Sequence, residues 1–122
     1  MIRTLARSVI HNATVTHTAH DWPVSLRLDP AIMRAAELLP LEEVEVVNIA
    51  TAARCRTFVQ LGERGEVRLY AAPEHHVRAG DVISILAFSQ LHAGQTLDHL
   101  AKIVTLDANN NVISIADATT QY

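Results

Sequence analysis

"WPVSLRLDPAIMRAAELLPLEEVEVVNI", residues Trp22–Ile49, carries a strand, a short helix and a second strand in one stretch. In "VSLRLD" the side chains alternate. Val24, Leu26 and Leu28 share one face, and Ser25, Arg27 and Asp29 share the other, which is the period of a half-buried strand. Ser25 is therefore expected on the polar side of that strand. Asp29 can cap a helix, Pro30 suits its first position, and Ile32, Ala36 and Leu39 form an apolar stripe that Pro40 ends. "EVEVVNI", from Glu43 to Ile49, then returns to strand.

The rest of the chain reads as short strands. In "NATVTHT", Ala13, Val15 and His17 face one way and Thr14, Thr16 and Thr18 the other. "RCRTFVQL" and "EVRLY" flank Gly62–Gly65 and read as a hairpin. "AGD" introduces the apolar strand "VISILAF". "KIVTL" and "VISIA" flank Asp107–Asn111, where asparagine tolerates the left-handed backbone a turn needs. Between Gln90 and Ala101, Leu91, Leu97 and Leu100 suit a second short helix. A mainly β chain with one or two short helices around one small core points to a closed β-barrel, since closure removes exposed strand edges.

Size and composition narrow the function classes. The chain has 122 residues, which suits a single domain over 1–122. A net charge of -3 offers no basic field, so neither nucleic acid nor an anionic membrane is an expected partner. Apolar runs such as Val82–Phe88 are broken by Ser84 and are too short to span a bilayer. "MIRTLARSVIHN" has no apolar core of the kind a signal peptide needs, so a cytoplasmic location is expected. The single cysteine, Cys55, excludes an internal disulfide and reads as a small buried apolar side chain. Seven histidines include the pairs His17/His20 and His75/His76, but no third ligand stands at a recognisable spacing, so no metal is expected.

Several blocks together resemble the aspartate 1-decarboxylase family, the small pyruvoyl enzymes. These are "MIRT" at Met1–Thr4, "IH" at Ile10–His11, "VTH" at Val15–His17, "LDPAIMRAAELLPLEEVEVVNI" at Leu28–Ile49, "ERG" at Glu63–Gly65 and "AGDVISILAF" at Ala79–Phe88. The resemblance is carried from Met1 to about Leu91, and residues 92–122 match poorly. It implies a six-stranded double-psi β-barrel, assembled as a homotetramer with active sites between subunits. It also implies self-processing, in which a serine hydroxyl attacks the carbonyl of the residue before it and the chain is then cut to leave a pyruvoyl group. Ser25 falls at that serine.

By the same resemblance, Thr57 matches the threonine that assists processing, Arg54 the arginine that binds a substrate carboxylate, and His11 a histidine near the pocket. Trp22 stands where the family has another aromatic, and suits either a core anchor or a wall of the pocket. Other family positions are altered. Val24 replaces the glycine before the serine, Val9 a lysine, Phe58 the proton-donating tyrosine, and Ala72 an asparagine. A β-branched residue resists the strained backbone that brings hydroxyl and carbonyl together. Phenylalanine has no proton to donate.

These departures favour a chain that stays whole and lacks the pyruvoyl group. In this reading Arg54 captures a small carboxylate-bearing substrate beside Trp22 and Phe58. General acid–base chemistry then falls to His11, with His17 or His20 behind it, for an elimination, isomerisation or cyclisation. One alternative is a self-processed pyruvoyl decarboxylase converting aspartate or a related amino acid. The other is a noncatalytic oligomeric homologue that binds a ligand or regulates a true decarboxylase.

Overall fold

The computed structural model describes residues 1–20, 24–71 and 76–122. Nine strands run in chain order: β1 (Ile2–Thr14), β2 (His17–Ala19), β3 (Ser25–Leu28), β4 (Glu43–Asn48), β5 (Arg54–Leu61), β6 (Val67–Tyr70), β7 (Val82–His92), β8 (Leu100–Leu106) and β9 (Val112–Thr119). One helix, α1 (Pro30–Ala36), joins β3 to β4. The strands pair in the order β2-β6-β3-β5-β4-β7-β1-β8-β9. Pairing is mixed: β1/β8, β2/β6 and β3/β5 are parallel and the other neighbours antiparallel. The mainly β class with a short helix agrees with the sequence, but the described residues hold nine strands rather than six.

The expected hairpin across Gly62–Gly65 does not form. β3 lies between β5 and β6, parallel to one and antiparallel to the other. Leu26 and Leu28 on β3 are fully buried, as are Val59 on β5 and Val67 and Leu69 on β6. Apolar burial of each such side chain contributes about 1.5–3 kcal/mol, more than the convenience of a short connection. The Asp107–Asn111 turn does close a hairpin, β8 with β9, and Asn110 there adopts a positive φ of 62°.

Asp29 caps α1 as its sequence position suggests, and it also holds a second element. Its Oδ1 accepts from the Ala31 amide at 2.7 Å, and its Oδ2 accepts from the Gly65 amide at 2.7 Å. The helix ends before Pro40, because Glu37 turns left-handed at φ 58°. The buried helix positions are consequently Ile32, Met33 and Ala36, followed by Leu38, while Leu39 is 71% exposed. Between Gln90 and Ala101 only a single 3₁₀ turn forms, Ala93–Gln95, and β7 itself runs on through Leu91.

Ser25 departs furthest from expectation. It is 0% exposed, although its alternation with Leu26 assigns it to a polar face. The strand is paired on both edges, and at Ser25 its second face is covered as well, while Arg27 two residues on stays part-exposed.

Replacing Asp29 by alanine removes two backbone partners at once and is expected to cost about 2 kcal/mol. Urea unfolding should show this as a lower midpoint with an unchanged slope.

Candidate active site

Strand register places the candidate residues. Ser25 opens β3 and stands directly across from Tyr70 on β6. On its other edge Leu26 aligns with Val59, so Ser25 lies level with Phe58 on β5. Phe58 in turn faces Glu43 on β4. Directly paired residues project to one face, so Tyr70, Ser25, Phe58 and Glu43 form a row across four strands. Two residues along each strand, Arg68, Arg27 and Gln60 form a second row on the same face. Two grooves open here, on either side of the Pro40–Leu41 turn. One, about 510 Å³, is lined by Arg27, Pro40, Gln60, Leu61 and Tyr70. The other, about 450 Å³, is lined by Leu41, Glu43, Arg56, Thr57 and Phe58.

The hydroxyls of Ser25 and Thr57 are buried and have no hydrogen-bond partner among the described residues. Thr57 alternates with Phe58 and so projects toward the core with Cys55 and Val59. An unsatisfied buried hydroxyl costs roughly 1–3 kcal/mol. Two of them at neighbouring positions of adjacent strands suit groups held for reaction with the backbone, and they fit a pyruvoyl group formed at Ser25. Val24, half-buried, immediately precedes the serine.

Arg54 begins β5 on the same face as Phe58, roughly 13 Å away along the strand. Its Nη1 donates to Glu45 at 2.7 Å with the arginine side chain 61% exposed. Such an exposed pair is worth about 1 kcal/mol or less, so a substrate carboxylate can displace Glu45 at little cost. Beside it, burial and then the Glu45 carboxylate push the Cys55 thiol up from its ordinary pKa.

His11 is not brought to Ser25 within the chain. It is exposed in an irregular stretch of β1, where the pairing with β7 shifts between Ile10 and Ala13. β1 lies three places from β5 in the sheet order, and half-buried Val9 lies on it too. His20 comes closer: it follows Ala19, which pairs with Tyr70, and its Nδ1 bonds the Ala71 carbonyl. His17 is exposed and its Nδ1 bonds Thr16 Oγ1 at 2.9 Å. Trp22 and Ala72 lie outside the described residues. Among the described residues no three His, Cys, Asp or Glu side chains converge as a metal site. The sequence reading passed over Tyr70. Only the cross-strand pairing with Ser25 singles it out.

A family model described as aspartate decarboxylase matches residues 1–113. The chain belongs to the aspartate decarboxylase family, a family of lyases. It is 38% identical over 117 residues to an aspartate 1-decarboxylase of Staphylococcus epidermidis, covering 94% of this chain and 91% of the relative. It is 37% identical over 114 residues to one of Listeria monocytogenes, covering 92% and 90%. The match runs past Leu91, through β8, into a region where the sequence blocks fade. These relatives overturn the reading of an uncleaved enzyme with unrelated acid–base chemistry. Val24 and Phe58 are local substitutions in a chain that follows aspartate decarboxylases along nearly its whole length.

The raised thiol pKa and burial of Cys55 lead to a test of this part of the site. Iodoacetamide at pH 8 should alkylate the native protein at least about tenfold more slowly than the urea-unfolded protein, read by intact mass.

Proposed function

We propose that the chain is a self-processing, pyruvoyl-dependent decarboxylase that converts aspartate to β-alanine. The observation that carries this reading is the Ser25 hydroxyl, buried without a partner at the head of β3. That hydroxyl attacks the Val24 carbonyl, and the Val24–Ser25 peptide becomes an ester. Loss of the Ser25 α-proton expels the Val24 carboxylate and cuts the chain. Water then replaces the freed nitrogen, which leaves as ammonia, and residue 25 becomes a pyruvoyl group. Thr57 assists by donating its hydroxyl proton to the Val24 carbonyl oxygen as negative charge develops there. Val24 slows the step without abolishing it, because its branched side chain crowds the approach.

The pyruvoyl ketone supplies the electron sink that decarboxylation of an amino acid requires. Arg54 holds a substrate carboxylate through its planar fork. Phe58 forms an apolar wall that excludes water from the reacting carbon. The three parallel pairings within a mostly antiparallel sheet support a double-psi barrel as the finer description of this fold.

The same reading makes the assembly a homotetramer with sites shared between copies. It brings His11 and Val9 of one subunit toward Ser25 of the next, a meeting that the strand order within a chain does not provide. Ile113 and Ile115, 62% and 54% exposed on the edge strand β9, offer apolar surface for assembly. The unpaired Cys55 suits the cytoplasm.

Intact mass spectrometry of purified protein should show two fragments, residues 1–24 and 25–122, the second carrying a pyruvoyl terminus. A chain that stays whole after prolonged heating overturns the proposal. Val24→Gly should speed cleavage and Thr57→Val should slow it, each by about tenfold or more for a barrier change near 1.4 kcal/mol. In the processed enzyme, Arg54→Ala should raise KM for aspartate by about 10–100-fold, the loss of a charged hydrogen-bonded contact worth roughly 1.5–3 kcal/mol. Sedimentation equilibrium should give four times the 13.4 kDa chain mass.

A further inference from the structure

Decarboxylation leaves an electron pair on the carbon that lost carbon dioxide, and a proton must be delivered there. Phe58, on one flank of Ser25, cannot supply it. On the other flank stands Tyr70, directly opposite Ser25 in an antiparallel pair. Residues paired in this way have Cβ atoms about 4.5–5.5 Å apart on one face. Tyr70 is half-buried and lines the roughly 510 Å³ groove with Arg27 and Gln60, a volume within the usual range for small-molecule sites.

The other groups on this face are poor acids. A guanidinium holds its protons too tightly to serve as the acid, which leaves out Arg27 and Arg68, and Gln60 is an amide. Glu66, 8% exposed, lies between the two arginines, 3.5 Å from Arg27 Nε and 3.0 Å from Arg68 Nε. The nearby imidazole, His20, has its Nδ1 engaged by the Ala71 carbonyl. Arg68 stands two residues from Tyr70 on the same face of β6, with its Nε donating to Glu66 at 3.0 Å. A guanidinium in that position stabilises the phenolate left behind when the phenol gives up its proton.

We infer that Tyr70 is the proton donor of the decarboxylation, acting from the β6 side of Ser25. This rests on the pyruvoyl-dependent function proposed above. The α-carboxylate leaves as carbon dioxide, the electron pair of the broken C–C bond takes the Tyr70 Oη proton, and solvent water reprotonates the phenolate. Arg68, two residues along β6, balances the phenolate's charge in this scheme.

Tyr70→Phe keeps the ring and removes only Oη. The variant should cleave at Val24–Ser25 to the parent's extent. It should also capture aspartate on the residue 25–122 fragment with sodium cyanoborohydride, read by intact mass, to the same extent as the parent. Its kcat should fall by at least about 100-fold, as for loss of a general acid, with KM within threefold. In D₂O the parent should place one deuterium stereospecifically on the aminomethyl carbon of the product, and Tyr70→Phe should lose that preference. A processed Tyr70→Phe enzyme with kcat within threefold of the parent overturns the assignment alone. Loss of cleavage or of aspartate capture in Tyr70→Phe overturns it in favour of a structural role. Loss of the deuterium preference in His20→Gln but not in Tyr70→Phe transfers the role to His20. A parent chain that stays whole overturns the proposed function, and this assignment with it.

Discussion

The insertion of β3 between β5 and β6 is the constraint on which the rest of the structure depends. Four residues, Ser25–Leu28, carry a parallel partner on one edge and an antiparallel partner on the other. Leu26 and Leu28 fill the core beneath, and Asp29 at the strand's end holds the first turn of α1 and the Gly65 amide at once. A strand held on both edges cannot slip by one residue without turning its buried leucines to the opposite face. The position of Ser25 is fixed by the same contacts that fix the core.

That rigidity bears directly on chemistry. A hydroxyl that must meet a particular carbonyl gains most from a scaffold that leaves it no alternative partner. Ser25 and Thr57, like Ser8, are buried hydroxyls without a partner among the described residues, whereas the buried Asp29, Asn48 and Asn110 are well bonded. The cost of leaving them unsatisfied is carried by the surrounding core. Val24, half-buried, places a β-branched side chain directly before Ser25.

Much of this was legible in the sequence. The Asp29–Pro30 start of the helix, the Asp107–Asn111 turn and the mainly β class each follow from local chemistry that depends on few neighbours. The family resemblance is carried by blocks whose order survives although single positions change. Substitutions at Val24 and Phe58 nevertheless pointed to the wrong functional reading. Two local losses outweighed a match that extends along the chain, and the relatives restore the balance. The Gly62–Gly65 segment was misread for a different reason. Glycines mark a change of direction, but they do not say which strand will occupy the place beside the one they follow.

The sequence alone determined the mainly β class, where the helix begins, which side chains can react, and which family the chain follows, because these depend on residue type, period and order. Tertiary structure alone decided that Ser25 is buried rather than polar-faced, that His11 stands strands away from it, and that Tyr70 stands opposite it. Those relations join residues up to dozens of positions apart in sequence. They are set by which strands share hydrogen bonds, and that pairing is chosen by burial of the whole apolar set rather than by any segment's own pattern.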